Sequence, residues 1–556
     1  MRWNWLLILS LAAALAACGD DDGGNAGDAG LDGSTDTDTD ADSGTDSETD
    51  PPDVCADLEL PTIAFTDAEE TTDLRGPAAD FTVPTTAGDW NLAANWSGCD
   101  VYLFLPENPS QNQGDYGYHY WENQTDFNAM FAASPKNAHY FFVPGSTSDV
   151  NEVLAALEEK VDAAIGALPT EDEAWWADRV HFVTAKAADM GSYVGELLTS
   201  PRFGFGIDRM QRIRYIGSFG DPSRYNGSVG WFGPNVSMVT NEAIFYNFEA
   251  ERETRLAAQD ATVVELWDTT PVAPAGPFDI DMDLPDADAM AGFDTLEFDM
   301  TMACGDGEYG VCPAWDYDVY LYLCDAADPT ICATEIGHWI TSYHRVGRWV
   351  HDVSGVLPLL AEGGSRRFRI GISDDWEISL SLRFSNQGKT AAPSETYALF
   401  AGQYTLNEIY NDNYSAIVMA VPADAEKVEI ASVITGHGMM PPANCCEFAN
   451  TDHHFIVNGV DNTLDFPIVG DDLGCMGQIE DGTVPNQYGT WWYGRAGWCP
   501  GKHVDMVMTD VTGQVEPGAD NTFEYEGYYL GEPYPTNPNP DYWNHIHLTS
   551  WLVISR

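Results

Sequence analysis

Trp315-Asp316-Tyr317-Asp318-Val319-Tyr320-Leu321-Tyr322-Leu323 alternates without a break. Successive side chains of a strand point to opposite faces. Trp315, Tyr317, Val319, Leu321 and Leu323 therefore read as a core face. Asp316, Asp318, Tyr320 and Tyr322 read as a wet or functional face with two carboxylates. Outward from this strand, short alternating stretches recur, as in Leu296-Glu297-Phe298-Asp299-Met300 and Arg367-Phe368-Arg369-Ile370. Gly, Pro, Asp and Asn turns separate them, and few helical periodicities survive after residue 270. This texture predicts antiparallel sandwiches, and the length of the region fits two, at 263–408 and 409–556.

Residues 54–262 read differently. Leu74-Arg75-Gly76-Pro77-Ala78-Ala79-Asp80-Phe81-Thr82-Val83-Pro84 precedes a strand at Asp100-Val101-Tyr102-Leu103-Phe104-Leu105. A helix with apolar spacing follows at 148–167, then a strand at Arg179-Val180-His181-Phe182-Val183. The alternation is that of an α/β domain, and over about 73–220 it is similar to thioredoxin-like redoxins. Redoxin chemistry needs a low-pKa thiol after the first central strand. The loop Pro106-Glu107-Asn108-Pro109-Ser110 has no cysteine, so the domain is expected to be redox-silent. The expected fold class is thus multidomain: an N-terminal α/β (thioredoxin-like) domain followed by two antiparallel β sandwiches.

The first residues carry a targeting pattern. Arg2 precedes an apolar run from Trp5 to Ala17, and Leu15-Ala16-Ala17-Cys18 ends it. The run is too short to span a membrane. It looks like a bacterial lipoprotein signal at 1–18 with Cys18 acylated, which implies a cell-envelope address at the outer membrane or cell surface. Residues 19–53 hold thirteen acidic side chains and no Lys or Arg, so they read as a disordered acidic linker. The alternating aspartates Asp36, Asp38, Asp40 and Asp42 lack the turn glycine of a calcium loop, since Ala41 stands there.

Net charge is 24 − 88 = −64. Removing the 13 linker acids leaves −51, which argues against nucleic acid or anionic membrane as partners. Of eleven cysteines, ten remain if Cys18 is acylated, and an even count in an exported chain reads as disulfides. Cys324/Cys332 and Cys304/Cys312 each bracket a short loop. No C-x-x-C pair or Cys/His cluster has zinc-ligand spacing.

Four motifs in order complete the reading: the Trp315 strand, then Cys445-Cys446-Glu447-Phe448, Leu473-Gly474-Cys475, and Arg495-Ala496-Gly497-Trp498-Cys499-Pro500-Gly501. This order resembles the bacterial peptide:N-glycosidase F family over roughly 275–556. The resemblance implies two jelly rolls side by side and an amidase that cuts N-glycans from asparagine without metal or cofactor. It pairs Cys304 with Cys312 and Cys475 with Cys499. It makes Asp316, directly after Trp315, the base and Glu447 the partner acid. Asp374, in Ser373-Asp374-Asp375-Trp376, replaces a family Glu and supports them. Arg495, Trp376 and Trp498 match sugar-contacting residues, and Trp315 and Gly436 are expected in the substrate-binding set with them. The family has Arg where Tyr317 stands, and Gly-Trp-Gly-His where Gly436-His437-Gly438 stands. Both departures touch glycan recognition. The family also has a second cysteine two residues after its Glu, where this chain has Ala449. Cys445 and Cys446 either pair with each other or pair elsewhere.

The chemistry fits those residue types. Hydrolysing an amide needs a carboxylate to activate water and other groups to hold the carbonyl. The implied partners are an N-glycoprotein or glycopeptide and, through Cys18, a membrane. Two other functions compete. Paired jelly rolls also occur in peptidylglycine-type copper monooxygenases, and His437, His453, His454, His545 and His547 lie in the last sandwich, with 545 and 547 on one strand face. His338, His344 and His351 are scattered in the first. The third function is a non-catalytic surface glycan-binding module.

Overall fold

The computed structural model describes residues 54–107, 121, 126–145, 149–199, 204–217, 220–226, 231–274, 276, 278–305 and 312–556. The signal segment with Cys18, the acidic linker, and Asn108, Pro109 and Ser110 of the loop expected to lack a redox cysteine lie outside them.

Period-two patterning builds the first sandwich. Trp376–Ser385 buries Trp376, Ile378, Leu380, Leu382 and Phe384, and Thr295–Ala303 buries Leu296, Phe298, Met300 and Met302. A one-residue slip would turn each set to water, at about 1.5–3 kcal/mol per large apolar side chain. Their sheet runs Ala261–Val272, Trp376–Ser385, Thr295–Ala303, Gly347–Asp352. Facing it are Phe278–Asp286, Gly363–Gly371, Asp318–Leu323, Thr334–Ile340 and the short Lys502–His503.

The Trp315 stretch needs correcting. Its ladder begins only at Asp318, and Val319, Leu321 and Leu323 do enter the core. Trp315 and Tyr317 do not: they are 58% and 39% exposed. Their backbone is held by Thr341 instead. The Thr341 hydroxyl donates to the Trp315 carbonyl and accepts from the Tyr317 amide.

The second sandwich has one sheet ordered Pro393–Tyr404, Asn544–Ser555, Lys427–Met440, Cys445–Cys446, with Val507–Asp510 also on Lys427–Met440. The other is Ile417–Ala420, Asp520–Tyr528, Asp452–Val457, Val460–Leu464. Pro393–Tyr404 takes its ladder from the last strand, Asn544–Ser555. The seam expected at 408 therefore falls earlier, between Ser385 and Pro393. The segment after Leu464 returns to the first sandwich, where Lys502 and His503 pair with Ile340 and Trp339. This return carries Arg495 to the junction of the two sandwiches.

The N-terminal region forms a five-stranded sheet in the order Val180–Phe182, Ala138–Val143, Val101–Pro106, Phe205–Ile207, Ile213–Arg214. The first three strands are parallel and the last two antiparallel. The helix Val150–Ile165 is capped by Asp149, which accepts from the Asn151 and Glu152 amides, and it buries Leu154, Leu157, Val161, Ala164 and Ile165. The helix Thr240–Ala258 docks this region on the first sandwich. Buried Glu242 accepts from Arg345 Nη1 at 2.7 Å, and Glu253 accepts from Arg348 at 2.9 Å. Among the described residues the disulfides are Cys55–Cys99, Cys304–Cys312, Cys324–Cys332, Cys445–Cys446 and Cys475–Cys499. Cys445 and Cys446 thus pair with each other.

Candidate active site

Three segments distant in sequence converge where the sandwiches meet. Asp316 lies just before the strand Asp318–Leu323. Glu447 follows the Cys445–Cys446 turn, and Arg495 lies in the loop closed by Cys475–Cys499. Arg495 Nη2 stands 3.4 Å from Asp316 Oδ2, and its Nε donates to Glu447 Oε1 at 3.1 Å. Nη1 donates to the Tyr493 carbonyl at 3.0 Å and Nη2 to the Thr490 carbonyl at 3.2 Å. The guanidinium carbon also sits 4.9 Å from the Trp498 ring centre and 5.3 Å from that of Phe448. The side chain is 1% exposed, while the two acids keep openings to solvent.

Burial pushes the Asp316 carboxyl above its usual range, and the Arg495 charge and the Tyr343 hydroxyl oppose this. Burial also raises Glu447, with Arg495 opposing and the charge of Asp316 adding to the rise. Both acids are thereby drawn toward the pH at which carboxylates can exchange protons with a substrate.

Two glycines shape the floor. Gly438 has φ +84°, and a Cβ there would lie 2.3 Å from the Trp543 carbonyl oxygen. A Cβ on Gly436 would lie 2.1 Å from the Cys446 carbonyl oxygen. Gly436 accepts from Trp498 Nε1 at 2.9 Å and donates to the Ala496 carbonyl at 2.9 Å. The Glu447 amide donates to the Gly438 carbonyl at 3.0 Å. The glycines let the Glu447 turn lie directly against the Lys427–Met440 strand.

The expected sugar-contacting residues occupy other places. Arg495 is enclosed behind the acids with its donors engaged by protein groups, so it positions carboxylates and offers no ligand surface. Trp498 is buried and hydrogen-bonded to Gly436, which makes Gly436 a backbone support as well. Trp376 is buried at the start of its strand, beside a cleft lined by Pro271, Phe278, Cys304 and Asp375. Asp374 accepts from the Asp375 amide, and no hydrogen bond or ion pair among the described residues joins it to Asp316, Glu447 or Arg495. A cavity lined by Ile434, Phe466, Ile468, Lys502 and His503 shares Trp498 but neither acid.

Sequence reasoning missed the groups that link these parts. Tyr343, bonded to Asp316, carries no spacing signal. Trp543 is 58% exposed and heads a series of roughly parallel rings. Trp543 to His545 is 5.5 Å, His545 to His437 is 4.9 Å, and His437 to Trp498 is 5.1 Å between centroids. Thus His437, which stands where the family has Trp, touches an aromatic from the far end of the chain. Asp318 lies within 2.9 Å of His338 Nε2 and 3.4 Å of His437 Nε2. These imidazoles pull its carboxyl well below the usual range despite burial, and burial takes His437 down to about 3.

The histidines weighed as copper ligands divide. His453 is bonded to Tyr525 and Thr451, His454 to Asp461, His344 to the Cys312 carbonyl, and His351 stacks on His503 at 4.2 Å. His338, His437, His545 and His547 gather at the seam.

Residues 405–553 match the family described as peptide-N-glycosidase F, C terminal. No curated protein sequence matches the chain. In fold, the chain is similar to a recombinant peptide: N-glycanase F at 18% identity and TM-score 0.43, over 53% of this chain and 95% of that one. It is similar to PNGase F, described as a glycosylasparaginase from Flavobacterium meningosepticum, at 18% identity and TM-score 0.42, over 53% and 96%. It is also similar to PNGF-II at 12% identity and TM-score 0.41, over 55% and 67%.

Proposed function

We propose that a peptide-N-glycosidase F-like C-terminal half makes this chain an amidase that hydrolyses the glycosylated asparagine side chain of N-glycoproteins or glycopeptides. The observation that carries this reading is the meeting of Asp316 and Glu447 on one enclosed guanidinium, Arg495. The match of 405–553 to the family model, which spans Glu447 and Arg495, supports it.

In this mechanism ionised Asp316 takes a proton from water, and the hydroxide oxygen attacks the side-chain carbonyl carbon. Glu447, which burial and Asp316 hold toward its protonated form, supplies a proton to the amide nitrogen. The carbon–nitrogen bond breaks, nitrogen leaves with the sugar, and aspartate remains. Arg495 keeps the two carboxyls at fixed spacing, and Tyr343 orients Asp316. Trp315, Tyr317 and Trp543 present exposed aromatic surface to sugar rings. Asp374 has no role in this mechanism.

Residues 1–18 support export with a lipid at Cys18, and the linker would hold the enzyme clear of the membrane. The parallel–antiparallel order of the N-terminal sheet supports a thioredoxin-like domain there. Its contact through Glu242 and Arg345 points to a docking role.

The test is mass spectrometry of an N-glycopeptide incubated with the protein and with Asp316→Ala. Glycan loss that converts asparagine to aspartate, absent in the variant, is the expected result. Tight glycopeptide binding without turnover would instead make the chain a glycan-binding protein.

A further inference from the structure

Next to the acids, but separate from the Arg495 contacts, lies a second buried polar cluster that the amidase reading does not use. Glu335 and His338 come from the strand Thr334–Ile340 of the first sandwich, and His547 from the strand Asn544–Ser555 of the second. All three side chains are buried, and one donor atom from each lies within 4.8 Å of the others. His547 Nε2 stands 2.7 Å from Glu335 Oε2. His338 Nδ1 stands 3.6 Å from Glu335 Oε1, and neither atom has a hydrogen-bond partner among the described residues.

The other nitrogen of His338 decides what that pair can be. Its Nε2 is 2.9 Å from Asp318 Oδ1, so the proton on that nitrogen donates to Asp318. In the neutral ring Nδ1 is then a bare lone pair facing a carboxylate oxygen. At 3.6 Å a single proton cannot bridge them as a hydrogen bond. A cation can: around zinc, tetrahedral donors about 2.1 Å from the ion lie about 3.4 Å from one another, and the shorter His547–Glu335 hydrogen bond would open to that spacing on binding. A ligating imidazole commonly gives its second N–H to a carboxylate, which sets tautomer and orientation, and Asp318 stands in that position. The ring of Tyr320 packs 4.5 Å from His338 and 5.1 Å from His547, so the rings are held from the side as well.

We propose that Glu335, His338 and His547 form a binding site for a divalent transition-metal ion of the zinc type, with Asp318 as the orienting partner of His338. Two imidazoles and one carboxylate are a donor set that zinc accepts, leaving a fourth position for water or another ligand. The ion would join the two sandwiches across 212 residues of chain. It would set the geometry of the seam on which Asp316, Glu447 and Arg495 converge, and it takes no part in the proton transfers assigned to them.

The experiment strips the full chain with a chelator and titrates it with zinc sulfate in excess magnesium. Magnesium occupies exposed carboxylates but is a poor match for imidazole. Bound zinc is measured by elemental analysis after gel filtration, and the unfolding temperature is followed alongside. The expected result is one zinc per chain with a rise in unfolding temperature that the chelator reverses. Glu335→Gln and His547→Gln should lose stoichiometric binding, and Asp318→Asn should bind about 10–100-fold more weakly. Should the variants fail to fold, the wild-type titration alone decides. Uptake well below one equivalent with an unmoved unfolding temperature overturns the proposal, as does stoichiometric zinc that survives in folded His547→Gln.

Discussion

Replacing Arg495 by Lys keeps a positive charge but removes the fork that spans two carboxylates. The native guanidinium serves Glu447 at 3.1 Å, Asp316 at 3.4 Å and the carbonyls of Tyr493 and Thr490 at 3.0 and 3.2 Å. An ammonium is a point charge on a flexible stem and cannot hold these four acceptors at once. Losing a donor to each of these part-buried carbonyls costs up to about 1–3 kcal/mol, while the retained charge avoids the larger penalty of an unpaired buried carboxylate. That loss is a sizeable part of a typical folding free energy, so unfolding in denaturant should shift to a lower midpoint. For catalysis, loss of the fixed spacing between the acids should lower kcat/KM on an N-glycopeptide by at least about 100-fold. That is roughly 2.7 kcal/mol at 1.36 kcal/mol per factor of ten. Arg495 is the largest influence that lowers both carboxyls. Weakening it should therefore raise their pKa values further and move the acid limb of the activity profile to higher pH. A folded Arg495→Lys protein with wild-type kcat/KM and an unmoved acid limb would refute the reasoning.

Three further outcomes follow from the same geometry. Asp316 and Glu447 have folded-state pKa values above their ordinary ones, so the fold favours their protonated forms. Their contribution to stability is present below the unfolded pKa and is lost as pH rises through the folded pKa. Asp316→Asn and Glu447→Gln should thus unfold at higher temperature than wild type near pH 7, with the gap closing in acid, while activity is lost. A calorimetric pH series in which the gap fails to shrink would contradict this. Glu242→Ala leaves the Arg345 guanidinium buried without its carboxylate, which should cost about 3–5 kcal/mol in urea unfolding; a loss below about 1 kcal/mol would show the docking contact to be incidental. Cys475→Ser with Cys499→Ser opens a loop of sequence separation 24 that contains Arg495, so stability should fall by about 3 kcal/mol, with a parallel fall in glycopeptide turnover.

Local pattern carried much of this protein. Alternation in Thr295–Ala303, Asp318–Leu323 and Trp376–Ser385 is legible because a half-buried strand must place apolar side chains on every second residue. The helix Val150–Ile165 shows in its apolar spacing for the corresponding reason. Asp316 and Glu447 are expected as an acid pair only because the order of motifs resembles the peptide:N-glycosidase F family, and the same resemblance makes Arg495 a sugar contact, whereas it lies between the two acids. The alternation was over-read at Trp315 and Tyr317, which precede the strand, take side-chain bonds from Thr341, and leave both rings exposed.

What tertiary structure alone decided are the properties that depend on distant neighbours. Pro393–Tyr404 belongs to the second sandwich because its backbone partner is the last strand, and no pattern within twelve residues encodes a partner 150 positions away. Arg495 became a buried clamp because the Lys502–His503 pairing draws its loop back to the first sandwich. Trp543, His545, His437 and Trp498 come from three separate segments of the chain, so their common stack has no period to read. His547 meets Glu335 and His338 by the same route. Sequence sets which face of each element is apolar, since that is a matter of neighbours along the chain. Which elements share a seam depends on how whole faces close over one another, and the chemistry of this protein lies at that seam.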